Sequence, residues 1–182
     1  MLVRKVLSRL AAAAIVMGVL LQAPVRADPA AVTVTAEQDL RFGTFAVPSA
    51  GWRSVSTAGA VAGSGILSFS GDPPGPARFT IVFDRGNESR RAIDVLLQVI
   101  IVAPQSVVQG GVTGTLSGLA TDLGGAAGTL GSLTTTLTLA NCRERRCSRS
   151  FNVGGRIDVA RSGGGANLRI PLSATAIVVS VN

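Results

Sequence analysis

Val95-Leu96-Leu97-Gln98-Val99-Ile100-Ile101-Val102 is the most hydrophobic run of the chain beyond its N-terminal segment. Its β-branched residues and the stop at Pro104 predict a central strand and not a helix. Neighbouring segments repeat the pattern in weaker form. Upstream, Phe79-Thr80-Ile81-Val82-Phe83 reads as a strand that stops at Asp84-Arg85-Gly86-Asn87, and Ile66-Leu67-Ser68-Phe69 runs into the loop Ser70-Gly71-Asp72-Pro73-Pro74-Gly75-Pro76. Val32-Thr33-Val34-Thr35 alternates as a half-buried strand does, and Leu40, Phe42 and Phe45 follow, with Gly43 offering a bend or bulge. Downstream, Leu133 to Leu139 alternates again. Phe151-Asn152-Val153 and Arg156-Ile157-Asp158-Val159 flank Gly154-Gly155, and Leu168 to Val181 closes the chain, with Pro171 placed on an edge. Gln109 to Gly131, rich in Gly, Thr, Ala and Leu, fits either a flexible excursion or two thin strands of a surface hairpin. No segment carries an apolar repeat at helical spacing. About eight to ten short strands separated by turns predict an all-β, antiparallel sandwich.

The N-terminus has the three parts of an export signal. Arg4, Lys5 and Arg9 supply the positive start, Leu10 to Leu21 the uncharged core, and Val25 and Ala27 the small residues before a cleavage point. The apolar core is shorter than the ~20 residues of a membrane span, so cleavage after Ala27 is the expectation. No transmembrane segment follows. The exported domain is then residues 28–182, a single unit in the periplasm, on the cell surface or outside the cell.

Export also resets the charge. The full chain carries 17 Lys+Arg against 10 Asp+Glu, for a net +7. Removing Arg4, Lys5, Arg9 and Arg26 leaves 13 arginines against 10 acids, a net +3. A charge that small bears on solubility and does not indicate a nucleic-acid partner.

Cys142 and Cys147 bracket Arg143-Glu144-Arg145-Arg146. In an exported chain such a pair is expected to form a disulfide. It would pin the tip of a hairpin between the Leu133–Leu139 strand and the Phe151 strand. The four-residue gap is not the redox C-x-x-C spacing, and no histidine exists to complete a zinc shell. Arg143, Arg145, Arg146 and Arg149 gather positive charge at the same tip. They read as a solvated turn first, and as a contact for an anionic surface second. No aromatic residue is interleaved to stack bases.

Catalysis finds no support in the residue types. Without histidine the Ser-His-Asp and Cys-His arrangements cannot form. Without lysine after the signal, Ser-Lys chemistry and Schiff bases cannot either. Asp72, Asp84, Glu88, Asp94, Asp122, Glu144 and Asp158 are scattered, with no spacing that singles out a glycosidase pair. Asp84 to Glu88 reads as a strand-end turn ahead of a calcium loop. Gly110-Gly111 and Gly163-Gly164-Gly165 lack phosphate-loop spacing. Trp52, the only tryptophan, reads as packing ahead of a sugar platform. No cofactor is expected.

Several segments together resemble one family. Asp39-Leu40-Arg41-Phe42-Gly43-Thr44-Phe45 with Pro48-Ser49-Ala50-Gly51, then Gly75-Pro76-Ala77-Arg78-Phe79-Thr80, and then Phe151 to Val159 are similar to the exported bacterial domains classed as domain of unknown function 4402. The closing Ile177-Val178-Val179-Ser180-Val181-Asn182 is similar to that family's last strand. The resemblance covers the two ends of the exported part, and Arg85 to Leu130 departs from it. The Cys142–Cys147 tip looks like an addition, and the usual aromatic near the end of the last strand is missing. The resemblance implies an immunoglobulin-like domain akin to fimbrial subunits, with no catalytic residues. Its partners would be copies of itself or other envelope proteins. Ala30 to Ala36, with Val32 and Val34 alternating, can act as a strand donated to a neighbour or as the first strand of its own sheet. The second use is the one expected first.

Overall fold

A computed structural model of the chain describes residues 29–129, 131–161 and 165–182. The expected export signal, residues 1–27, lies outside them. Fourteen strands run in chain order: β1 (Ala31–Gln38), β2 (Leu40–Ala46), β3 (Ala50–Val55), β4 (Val61–Ser64), β5 (Leu67–Ser68), β6 (Ala77–Asp84), β7 (Ile93–Val102), β8 (Ser106–Gln109), β9 (Val112–Thr121), β10 (Ala127–Thr129), β11 (Ser132–Cys142), β12 (Arg146–Arg161), β13 (Gly165–Ile170) and β14 (Ser173–Val181). The described residues contain no helix, and so none long and apolar enough to cross a membrane. The strand count exceeds the sequence expectation because several edge strands have only two to four residues, too short to show an alternation.

All pairings are antiparallel and make three sheets. A seven-stranded sheet runs β1-β6-β12-β3-β4, with β9 and β8 branching from β12; a four-stranded sheet runs β10-β11-β7-β14; a three-stranded one runs β13-β2-β5. Inward residues from all three form one core, which makes the domain a β-sandwich. The hydrophobic run that opens the sequence argument lies in β7, between β11 and β14. Val95, Leu97, Val99 and Ile101 point inward, while Leu96, Gln98 and Ile100 are only partly covered.

Strand β12 is the spine. Its first half, Arg146 to Val153, pairs with β6, and Phe151 stacks on Phe79 across that ladder with ring centroids 5.4 Å apart. Its second half pairs with β3 on one side and β9 on the other. Where β6 hands over to β3, a Cβ on Gly154 would stand 2.4 Å from the Val55 carbonyl oxygen. Only glycine lets the neighbouring chain come that close, so the glycine pair lies inside one sixteen-residue strand and does not separate two.

Gly43 does form the bulge its position suggested. It adopts φ 75°, and the β2–β13 register slips beside it. Gln109 to Gly131 is no flexible excursion: β9 is ten residues long, pairs with both β8 and β12, and buries Val112 and Leu116 in the core. The segment from Leu168 to Val181 is two strands in different sheets. Pro171 sits in the break between them, where a missing N–H costs no ladder bond.

Candidate functional site

The Cys142–Cys147 disulfide forms, with the two Cα atoms 5.9 Å apart. It does not close a hairpin. β11 belongs to the four-stranded sheet and β12 to the seven-stranded one, so residues 143–145 arch from one layer to the other. The sequence pattern of two strands about a charged turn fits both topologies, and only the partners of each strand distinguish them. The bond therefore staples the sandwich at one end.

The same end gathers the ionic groups. β6 terminates at Asp84, whose carboxylate accepts hydrogen bonds from Arg146 Nε at 2.8 Å, Arg145 Nε at 3.2 Å and the Gly86 backbone N–H at 2.9 Å. Hydrogen bonding from Arg146, then from the Gly86 amide and Arg145, holds this carboxyl well below the usual carboxylate range, with burial opposing. Arg145 also meets Glu88 at 3.1 Å, and these two acids raise its guanidinium above its ordinary value. Asp84 to Glu88 is thus a turn whose leading carboxylate is taken up by arginines. Buried Arg85 ties the following loop down through the Ser89 carbonyl and, at 3.0 Å, the Arg91 carbonyl.

Of the four tip arginines, Arg145 and Arg146 are ion-paired, and Arg143 donates to Asn141 Oδ1 at 3.2 Å. Arg149 is exposed and lines an open cleft of about 400 Å³ with Thr138, Asn141 and Ser148. The structure thus divides the predicted cluster. One pair anchors a loop, and the cleft side keeps a cation next to hydroxyl and amide groups, a set able to hold an anion.

The predicted strand Val32–Val34 lies in β1, the outermost strand of the seven-stranded sheet. Val32 stands opposite Phe83 and Val34 opposite Ile81, and both pack against the core. Its other edge faces β14, an edge strand of the opposite layer, with no ladder between them. Trp52, on β3, is covered by Arg156, whose guanidinium carbon stands 4.2 Å from the ring centroid. That pairing sits beside a shallow apolar groove of about 440 Å³ lined mainly by small residues of β3, β4 and β9, which sequence reading did not single out. Its signal, Ser and Ala at alternate positions, is indistinguishable from ordinary strand filler.

Neither the curated proteins nor the solved structures contain a match to the chain. A family model matches it over residues 32–169, a range that takes in Arg85 to Leu130 and ends before the closing strand. A match over that much of the chain settles its membership: it belongs to the family described as Domain of unknown function (DUF4402).

Proposed function

We propose that this is an exported, non-catalytic structural domain of the bacterial envelope that assembles with copies of itself, or with other envelope proteins, by β-strand addition. The observation that carries the reading is the position of β1. It comes first among the strands and is held to its sheet by one ladder, to β6. It inserts only Val32 and Val34 toward the core and leaves Ala31, Thr33 and Thr35 outside. A strand with one ladder and two anchors can be exchanged for the same strand of a neighbour at little net change in contacts.

Light scattering on purified residues 28–182 tests this. Assemblies that disappear when residues 28–36 are deleted, and that a free peptide of residues 30–36 does not rebuild because it fills the vacated edge without linking two subunits, support it. A strictly monomeric protein indifferent to the deletion overturns it.

A second reading rests on the cleft at Arg149: a binding module for envelope polysaccharide or another anionic component, through the tip arginines. Replacing Arg143, Arg145, Arg146 and Arg149 by glutamine should abolish retention on anionic glycan. Undiminished retention removes this reading.

A further inference from the structure

The 13 arginines and 10 acids of the exported part are not evenly spread. Six strand ends meet at one end of the sandwich. β1 begins there, with Ala31 opposite Asp84 at the end of β6, and Asp84 in turn faces Arg146 at the start of β12. In the other layer β7 begins there, with Ile93 opposite Cys142 of β11, and Asp94 exchanges backbone hydrogen bonds of 2.9 Å with Asn182, just beyond β14. Two loops cap this end, residues 85–92 and 143–145, and they are fastened to each other. The Arg85 amide donates to the Arg145 carbonyl at 2.9 Å, and the Arg145 guanidinium meets Glu88. Residues 84–94 and 143–149 together hold seven arginines against four acids, whereas over the other described residues six arginines face five acids. The excess of positive charge is therefore a property of one end. Four of its arginines, Arg90, Arg91, Arg143 and Arg149, are exposed and stand in no described ion pair. Arg90 and Arg91 are far from the cysteine tip in sequence, and only the fold brings them to it.

We infer that this end of the sandwich rests on an anionic lipid bilayer, its arginines against the phosphates of the headgroups. The inference builds on the second reading above, widens it from the tip to the whole end, and commits it to one partner. Three observations favour a bilayer over a soluble polymer. First, Arg90, Arg91 and Arg143 lie outside the Arg149 cleft, so the cations are distributed over two loops and do not converge on one pocket. A planar array of headgroups meets such a spread of guanidinium groups better than a single chain does. Second, Val181, 47 % exposed, closes β14 at the same end and adds an apolar side chain beside the charges. Third, the chain enters the domain here. Residues 1–28, with their uncharged run Leu10 to Leu21, lead into Pro29, and β1 begins at Ala31. A bilayer that takes up that run has this end of the domain against its headgroups, and the arginines then keep the exported part there by charge.

Cosedimentation of residues 28–182 with vesicles tests the contact. The protein should bind vesicles of phosphatidylglycerol and phosphatidylcholine in equal parts, should not bind pure phosphatidylcholine, and should come off as salt is raised. Arg90→Gln combined with Arg91→Gln should weaken binding about tenfold or more. Arg78→Gln combined with Arg161→Gln makes the same change in net charge at the opposite ends of β6 and β12 and should leave binding unchanged. A further measurement on wild type needs no variant. Trp52 lies on β3 opposite Asp158, in the far half of β12, so brominated acyl chains should not quench its fluorescence when the protein is bound. Equal binding to neutral and anionic vesicles, equal losses in the two double variants, or quenching of Trp52 overturns the inference. Retention on an anionic polysaccharide without binding to vesicles would uphold the cleft reading and overturn this one.

Discussion

Replacing Arg53 with methionine should make the domain more stable. Arg53 lies on β3 opposite Ile157 of β12, on the same inward side as Val55. It is 6 % exposed, and its Nε and Nη1 have no hydrogen-bond partner. Burial draws its guanidinium below the ordinary arginine value. What it does have is Phe45, whose ring centroid is 5.6 Å from the guanidinium carbon. Each orphaned buried donor costs about 1–3 kcal/mol, and the cation–π contact returns about 0.5–2 kcal/mol. Methionine keeps an unbranched stem against the same walls and removes the donors. The expected gain is about 2 kcal/mol, which for a domain of this size raises Tm by about 4–8 °C.

Urea denaturation with the disulfide intact, backed by a thermal scan, measures this gain. Arginine keeps its charge in mildly acid and neutral solution, so the gain should not vary between the two. A variant less stable than wild type by about 1 kcal/mol or more would refute the reasoning. It would mean that the guanidinium gains more from Phe45 than its burial costs.

The remaining predictions concern the tip and the core. Because folding holds the Asp84 carboxyl below its unfolded value of about 4, its stabilisation is complete above that pH and is lost as acid drives the pH down toward the folded value. Asp84→Asn should therefore show a flatter fall in stability below about pH 4 than wild type in acid titrations followed by circular dichroism. Replacing Cys142 and Cys147 together by serine should cost about 2 kcal/mol, as a six-residue ring implies, and leave a folded protein by the same spectrum. Leu116→Ala should cost about 2–5 kcal/mol in urea, since Leu116 is 1 % exposed; a loss below 0.5 kcal/mol, as expected at a surface position, would show that β9 is not built into the core.

The sandwich was legible wherever side chains alternate. Val32 and Val34, Phe79 to Phe83, the run Val95 to Val102 and Leu133 to Leu139 all place their buried residues at period two. What escaped was set by partners distant in sequence. The sequence leaves β9 open between a flexible excursion and a thin strand because its inward positions are Val112, Gly114 and Leu116, with a glycine where the pattern wants bulk. That glycine fits because the Leu168 side chain fills the space, with a methyl 3.2 Å from where a Cβ would stand. The Gly154-Gly155 pair looks like a turn because its reason, the nearby Val55 carbonyl, lies about a hundred residues upstream. The tip looked like a hairpin because nothing within Cys142 to Cys147 records that β11 and β12 join different layers. At the candidate site, composition marked the arginines, but the division between loop anchors and the cleft depends on Asp84 and Glu88, which reach the tip only through the fold.

That division bears on how the two proposed contact surfaces can be told apart. Acids consume arginines at the points where loops are fastened: Asp84 and Glu88 at the arch, Asp72 between Arg41 and Arg169, Glu37 against Arg78. At the tip Arg143 and Arg149 stand in no described ion pair, so an anionic contact there depends on a few local charges beside an open cleft. Such a contact weakens as salt shortens the Debye length. Donation of β1 depends on the apolar burial of Val32 and Val34 and on backbone hydrogen bonds to β6, and sulfate strengthens apolar burial. Raising sodium sulfate should then release an anionic ligand from the tip while tightening assembly through β1. Association that weakens with salt points to the arginines, and association that survives it points to the strand edge.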